Sequence, residues 1–259
     1  MTQPFIFQPD IQRIHSEDAT AIHAVMARYY QGVEEARVDV LDEVFHPDWL
    51  MKDTDTPGAL TLNVEGKAEF IKRVSDHGPY PGYAAGRRVV AVSTAHDRLA
   101  CVRVDKTESR SSTVFVFFKL GGAWVIMDKV WVNPQPAADV PRPIAPVLEA
   151  VSSRLDGYFR ALADDDRVAI GALLHERFEL KSIGSGGFVG QNRVEALDGR
   201  LAPSTPADSS QLVSIDVFQE SMAVIRIDLP ADEETRFMVM LRVGGVWQIV
   251  LERRSQGPY

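Results

Sequence analysis

The chain repeats itself, and that repeat restricts its fold more than any other feature. Tyr29-Tyr30 is followed by Phe45-His46 and Trp49-Leu50-Met51-Lys52, and Tyr158-Phe159 by Leu174-His175 and Phe178-Glu179-Leu180-Lys181, at a constant offset of 129 (158 − 29 and 175 − 46). Further on, Ala100-Cys101-Val102-Arg103-Val104-Asp105 matches Ala223-Val224-Ile225-Arg226-Ile227-Asp228, and Gly121-Gly122-Ala123-Trp124 matches Gly244-Gly245-Val246-Trp247. The offset there is 123 (223 − 100 and 244 − 121), so the second copy is six residues shorter between the blocks. Matched blocks in one order, ungapped within each block, indicate one supersecondary plan used twice. The prolines of 133–143 favour an extended connector. The reading is an arm at 1–14, a first domain at 15–135, a linker at 136–143 and a second domain at 144–259.

Each copy has the same order of periodicities. Ile22, Val25, Met26, Tyr29 and Val33 recur at helical spacing after Ser16, Glu17 and Asp18, and Val151, Leu155, Tyr158, Phe159 and Leu162 do so after Pro146. A short second helix carries Leu41, Val44 and Phe45 in copy one and Ile170, Leu173 and Leu174 in copy two. A third helix is predicted around 65–75, with Phe70, Ile71 and Val74 inward. Strands rich in β-branched and aromatic residues follow at 88–95, 99–108, 112–120 and 123–132, and again at 211–218, 222–229, 235–243 and 246–253. Gly121-Gly122 and Gly244-Gly245 supply the positive φ of two-residue hairpins. Helices grouped before strands give an α+β fold, three helices packed on a curled antiparallel sheet in each copy.

Composition excludes several classes. The net charge of −8 is spread along the sequence, which argues against a phosphate-binding surface and so against nucleic acid. No apolar run reaches the roughly 20 residues of a spanning helix, so no membrane partner is expected and a cytoplasmic location is read. Cys101 has no second cysteine to pair with in this chain. The six histidines show no metal-ligand spacing, and no GxGxxG, P-loop or GxSxG motif occurs, so neither metal nor cofactor is expected.

The string Tyr29-x(15)-Phe45-His46-Pro47-Asp48-Trp49, a Gly-containing third helix and four closing strands resemble the nuclear transport factor 2-like, or ketosteroid-isomerase-like, superfamily. The stretch 46–74 is closest to its lumazine-binding or SnoaL-like branch. The resemblance implies two cone-shaped domains, each with an apolar pocket between helices and sheet. It also implies a sheet face used for pairing, so that the tandem forms an internal pseudo-dimer as a monomer or a homodimer of tandems. By that resemblance Tyr29 falls on a tyrosine that donates to a substrate carbonyl, and Asp53 on a general-base aspartate. The isomerase's second acid would fall near Phe115 to Phe117, which are apolar here.

Other roles stay open on the sequence. His46, like His175, either faces the end of the preceding helix or forms an acid–base dyad with Asp48 or Asp53. Arg103 and Arg226 either hold an anion in the pocket or pair with Asp105 and Asp228 on the outer face. Asp128, on the last strand of copy one, either points into the pocket or, with Lys129 following it, lies at an exposed strand end. Trp49, Phe115, Phe117, Met127 and Trp131 are candidate pocket lining, and Tyr80 and Tyr83, in the loop 77–83, are candidate lid residues. In copy two Ser182 replaces Asp53, so copy one is read as the working domain and copy two as degenerate. The expected function is binding of a small hydrophobic molecule in copy one. The alternative is a cofactor-independent lyase or isomerase, with Asp53 as base and Tyr29 as donor.

Overall fold

The structure is a computed structural model that describes residues 16–54, 59–106, 109, 111–132, 145–184, 186–199, 211–218 and 220–257. The expected arm and linker lie outside these residues. By compactness the chain divides into Met1–Lys52 with Val64–Trp131, and Asp53–Asn63 with Val132–Tyr259. Asp53–Asn63, read from sequence as part of the first domain, fall in the second unit of this division.

The first copy runs α1 (Ser16–Glu34), α2 (Val38–Val44), β1 (Phe45–Thr54), β2 (Asn63–Gly66), α3 (Lys67–His77), β3 (Arg87–Ala95), β4 (Leu99–Lys106), β5 (Ser111–Leu120) and β6 (Ala123–Val132). The second runs α4 (Ala145–Ala163), α5 (Arg167–Leu173), β7 (Leu174–Gly184), β8 (Gly187–Asn192), α6 (Arg193–Asp198), β9 (Gln211–Phe218), β10 (Met222–Leu229), β11 (Glu234–Val243) and β12 (Val246–Gln256). Each copy is α+β with a six-stranded sheet, ordered β2-β1-β6-β5-β4-β3 and β8-β7-β12-β11-β10-β9.

Two strands per copy precede the third helix, where the sequence pattern predicted helices first and strands after. The cause is visible in β1, whose last four residues, Met51 to Thr54, are all buried. A strand covered on both faces loses the alternation by which strands are recognised. The sheet is also not wholly antiparallel, since β7 runs parallel to β12 while β8, β9, β10 and β11 pair antiparallel.

The repeat extends to details of local chemistry. α1 buries Ile22, Met26, Tyr29 and Val33, and α4 buries Val151, Leu155, Tyr158 and Leu162, the same stripe shifted by 129. Both helices end in a non-glycine residue with left-handed backbone, Ala36 at φ 54° and Asp165 at φ 50°. Asp166 caps α5 by accepting from the Val168 and Ala169 amides at 3.1 and 2.9 Å. The glutamates Glu69 and Glu195 reach back to the Gly66 and Asn192 amides, each at 2.9 Å. Their offset is 126 (195 − 69), so the six missing residues were lost as three before this point and three after it.

Strand alternation assigns the sheet faces. Ala100, Val102 and Val104 of β4 join Phe115 and Phe117 of β5 in the cluster beneath the helices. The register agrees, with Val102 opposite Phe115 and Arg103 opposite Val114. In copy two the equivalent cluster uses Ala223, Ile225, Ile227, Met238 and Met240. β12 carries a register shift, with Val239 opposite Leu251 but Met240 opposite Ile249. Such a bulge moves the residues beyond it to the other parity.

A buried lysine and tyrosine cluster as candidate functional site

Helical spacing puts Tyr29 on the inner stripe of α1, where it is fully buried. Its ring lies 5.1 Å from Tyr30, 5.8 Å from Phe45, 5.3 Å from Phe115 and 6.4 Å from Phe70, drawn from helix, strand and sheet alike. Trp49 stacks on Phe45 at 4.3 Å and meets Phe70 edge-on at 5.0 Å. The interior of copy one is therefore an aromatic box, and each contact adds to the area burial of the rings.

A polar group is set into that box. The Lys129 Nζ donates to Tyr29 Oη at 3.1 Å and to Tyr83 Oη at 3.3 Å, and the two phenol oxygens lie 3.1 Å apart. Lys129 is only 6% exposed. Its remaining neighbours are the ring faces of Tyr29 and Phe70 at 5.7 and 5.8 Å. Among the described residues no carboxylate pairs with it. Trp124 and Ile126 of β6 belong to the cluster beneath the helices and Lys129 bonds to Tyr29 within it, so the parity of β6 changes between them, as it does in β12. Asp128 and Lys129 are both buried, which corrects the reading of an exposed strand end.

Tyr83 comes from the loop between α3 and β3. That loop is tied to α1 by Tyr80 N to Glu34 O at 3.0 Å and Ala84 N to Glu34 Oε1 at 3.0 Å. Gly78, Gly82 and Gly86 carry φ of 73°, 77° and 70°, conformations open to glycine at little cost. Arg87 holds Tyr83 from the β3 side, with its Nε 2.7 Å from the Tyr83 carbonyl and its guanidinium 4.4 Å from the ring. Burial opposes ionisation of the Tyr83 hydroxyl. The charges of Lys129 and Arg87, with hydrogen bonds from Tyr29 and Lys129, outweigh burial and bring it down to about 8. Tyr29 moves the other way, raised by burial and by Tyr83. Burial likewise raises Tyr30, against the pull of Arg87.

Among the described residues of this copy, Tyr30 Oη, Trp49 Nε1 and Trp131 Nε1 are donors buried without a partner. A buried donor left unpaired costs about 1 to 3 kcal/mol, so each needs a reason.

The structure thus brings together Tyr29, Tyr83, Phe115 and Trp49 of the residues singled out from sequence, and Phe117 and Trp131 pack in or against the same cluster. Tyr80 is 49% exposed and meets Tyr83 edge-on at 5.7 Å. Met127 is buried outside the cluster around Tyr29. Arg103 lies on the opposite sheet face, in a bidentate pair with Asp105 at 2.8 and 2.7 Å, and Arg226 repeats the arrangement with Asp228. His46 Nδ1 accepts the Asp48 amide at 3.0 Å, and His175 Nδ1 accepts the Arg177 amide at 3.0 Å. The Nδ1 of each imidazole is therefore engaged by the backbone two residues on, and His46 Nδ1 also lies 3.8 Å from Asp48 Oδ2. Asp53 is buried and accepts from Asn63 Nδ2 at 3.2 Å, while Tyr29 is bonded to Tyr83 and Lys129. An open groove of about 700 Å³ between α2 and α3 touches none of these residues.

Copy two answers the same positions with opposite charge. Glu252 stands where Lys129 does (252 − 129 = 123), and it accepts from Tyr158 Oη at 2.8 Å. Arg254 Nε donates to it at 2.6 Å and Arg236 approaches at 3.5 Å, with Glu234 paired to Arg236 in turn. Burial alone would raise the Glu252 carboxyl, but Arg254, Arg236 and Tyr158 together hold it low. Two glutamates and two arginines meet here, whereas at the Lys129 position of copy one no carboxylate is paired among the described residues.

Among the described residues, no group of three or more His, Cys, Asp or Glu is placed to hold a metal ion, and no helix is long and apolar enough to cross a membrane. Fold and site define a tandem α+β protein in which each first-helix tyrosine bonds a charged residue of the last strand. The chain belongs to the family described as "Putative lumazine-binding", which matches residues 17–132 and 146–252. Among solved structures it is similar to an NTF2-like protein of unknown function from Methylobacillus flagellatus KT, at 21% identity over 48% of this chain and 97% of that one, TM-score 0.39. A second, from Shewanella baltica OS155, is 17% identical over 51% of this chain and 100% of its own, TM-score 0.38. A third, from Silicibacter pomeroyi DSS-3, is 19% identical over 45% and 95%, TM-score 0.37. No curated protein matches the chain.

Proposed function

We propose that copy one binds a small, largely apolar ring compound in its aromatic box, with an oxygen of that compound directed at Lys129. The observation that carries this reading is the buried ammonium with no carboxylate partner among the described residues. An uncompensated buried charge costs several kcal/mol and is tolerated where something else repays it, and a bound anion or carbonyl does so. The unpartnered Trp49 and Tyr30 donors supply further hydrogen bonds to such a molecule. The lumazine-binding description of the family agrees with a ligand of this kind.

Proton abstraction by Asp53, with Tyr29 as donor and His46 assisting, is the less favoured reading. Tyr29 Oη is already engaged by Lys129 and Tyr83, and His46 Nδ1 by its own backbone. Thermal denaturation of the purified chain with lumazine or benzoate tests the binding reading. Saturable stabilisation that disappears in Lys129→Met is expected. Its absence with both compounds, or its survival in Lys129→Met, refutes the assignment.

A further inference from the structure

We infer that Tyr83 is an internal stand-in for the acidic end of the ligand. Its phenol oxygen occupies the place beside Lys129 and Tyr29 that an aromatic carboxylate takes on binding, and the incoming carboxylate displaces it. This rests on the small-molecule reading of copy one and adds a ligand class and a competitor to it.

The geometry is that of an occupied anion site. Tyr83 Oη lies 3.3 Å from the Lys129 ammonium and 3.1 Å from Tyr29 Oη, one cationic donor and one phenolic donor converging on one oxygen. Charge-assisted donors of this kind are what a carboxylate recognises. The rings of Phe45, Phe70 and Phe115 pack around Tyr29, at 5.8, 6.4 and 5.3 Å, and make the surroundings of this site aromatic. In copy two the Lys129 position itself carries a carboxylate, that of Glu252, which accepts from the first-helix tyrosine Tyr158 at 2.8 Å.

The surrounding charges leave the competition to Tyr83. From α1, Tyr29 and Tyr30 face it, and the Glu34 carboxylate is taken by the Ala84 amide. From α3, Arg73 is paired bidentately with Glu65 of β2 at 2.8 Å. Within the loop, Tyr80 packs on Tyr83 and on His77. That leaves Arg87 of β3 and Lys129 of β6 as cations near the hydroxyl, neither with a carboxylate partner among the described residues. The loop carries the positive-φ glycines Gly78, Gly82 and Gly86, which let it turn tightly enough to bring Tyr83 inward.

The proton balance follows. Where Tyr83 is ionised, its phenolate neutralises Lys129, and a carboxylate can replace it only if the phenolate first takes one proton from solvent, forming the O–H bond and leaving as the neutral phenol. Binding is then coupled to uptake of one proton, and affinity falls about tenfold per pH unit above the Tyr83 ionisation. Below that range the phenol is neutral and affinity is flat.

Calorimetric titration of the full chain with benzoate, from neutral to about pH 10, tests this. The unmodified protein is expected to lose affinity about tenfold for each pH unit above about 8, while Tyr83→Phe binds with a flat profile. A tyrosinate absorbance titration of the ligand-free protein is expected to show one early-ionising tyrosine, absent in Tyr83→Phe and shifted upward in Lys129→Met. Benzoate binding with the same pH profile in Tyr83→Phe as in the unmodified chain overturns the stand-in and leaves the binding site standing. Failure of benzoate to bind either protein at any pH overturns both. Near-isosteric loss of one hydroxyl leaves the fold intact, which the far-ultraviolet circular dichroism of Tyr83→Phe checks.

Discussion

Lys129 and Glu252 occupy the same position in two copies of one fold, and substituting each by methionine is expected to change stability in opposite directions. Lys129 makes two hydrogen bonds, at 3.1 and 3.3 Å, to phenol oxygens that lie 3.1 Å from each other. Its removal therefore orphans neither tyrosine, and it relieves the desolvation of an ammonium that no carboxylate among the described residues compensates. Replacing such a group by an apolar side chain of similar length is expected to stabilise copy one by about 1 to 2 kcal/mol. For a domain of roughly 100 residues each kcal/mol raises the midpoint by about 4 to 8 °C. Glu252 instead accepts from Tyr158 at 2.8 Å and from Arg254 at 2.6 Å, with Arg236 at 3.5 Å. Glu252→Met leaves two buried guanidiniums facing one fewer carboxylate and is expected to cost about 3 to 5 kcal/mol. Urea denaturation followed by tryptophan fluorescence separates the copies, because Trp49, Trp124 and Trp131 report the first and Trp247 the second. If Lys129→Met destabilises the protein as much as Glu252→Met does, Lys129 is a structural strut and the argument for a ligand site fails.

The remaining predictions concern copy two. Asp166→Ala removes the acceptor for the Val168 and Ala169 amides at the start of α5 and is expected to cost about 1 kcal/mol, read as a lower urea midpoint. Glu252 titrates lower when folded than when unfolded, because Arg254, Arg236 and Tyr158 overcome the effect of burial. Its contribution is therefore full above the unfolded value of about 4.3 and lost as pH falls through the lower folded value. Midpoints measured from about pH 6 down to about pH 3 are expected to decline in the unmodified chain and to be flatter in Glu252→Gln.

The residues of the site were not equally legible. Tyr29 was found because the 3.6-residue period places it on the buried stripe of α1, and Phe115 because alternation places it on the inner face of β5. Lys129 is hidden in the sequence, because strict alternation along β6 from Trp124 and Ile126 puts it on the outer face, and a parity change within the strand leaves no signature in residue type. The signal available was the repeat itself. A charged residue inside a strand recurs at the 123-residue offset with its sign reversed, beside a tyrosine that recurs at 129. Arg103 was ambiguous for a related reason. Alternation says that it and Val102 face opposite ways, but not which way is inward. The register of Val102 opposite Phe115 settles that, together with the pairing of Arg103 to Asp105.

By itself the sequence determined that there are two copies, where each lies, and which side of each first helix and hairpin is apolar, because periodicity and turn chemistry are local properties of a chain. Only the tertiary structure decided that β1 enters the sheet beside β6, and that a loop tyrosine, a helix tyrosine and a strand lysine meet in one aromatic interior. It also decided that the same corner of copy two closes on its own carboxylate. Those outcomes depend on side chains 46 to 100 residues apart sharing a low-dielectric space, where one unmatched charge costs more than any local preference can signal.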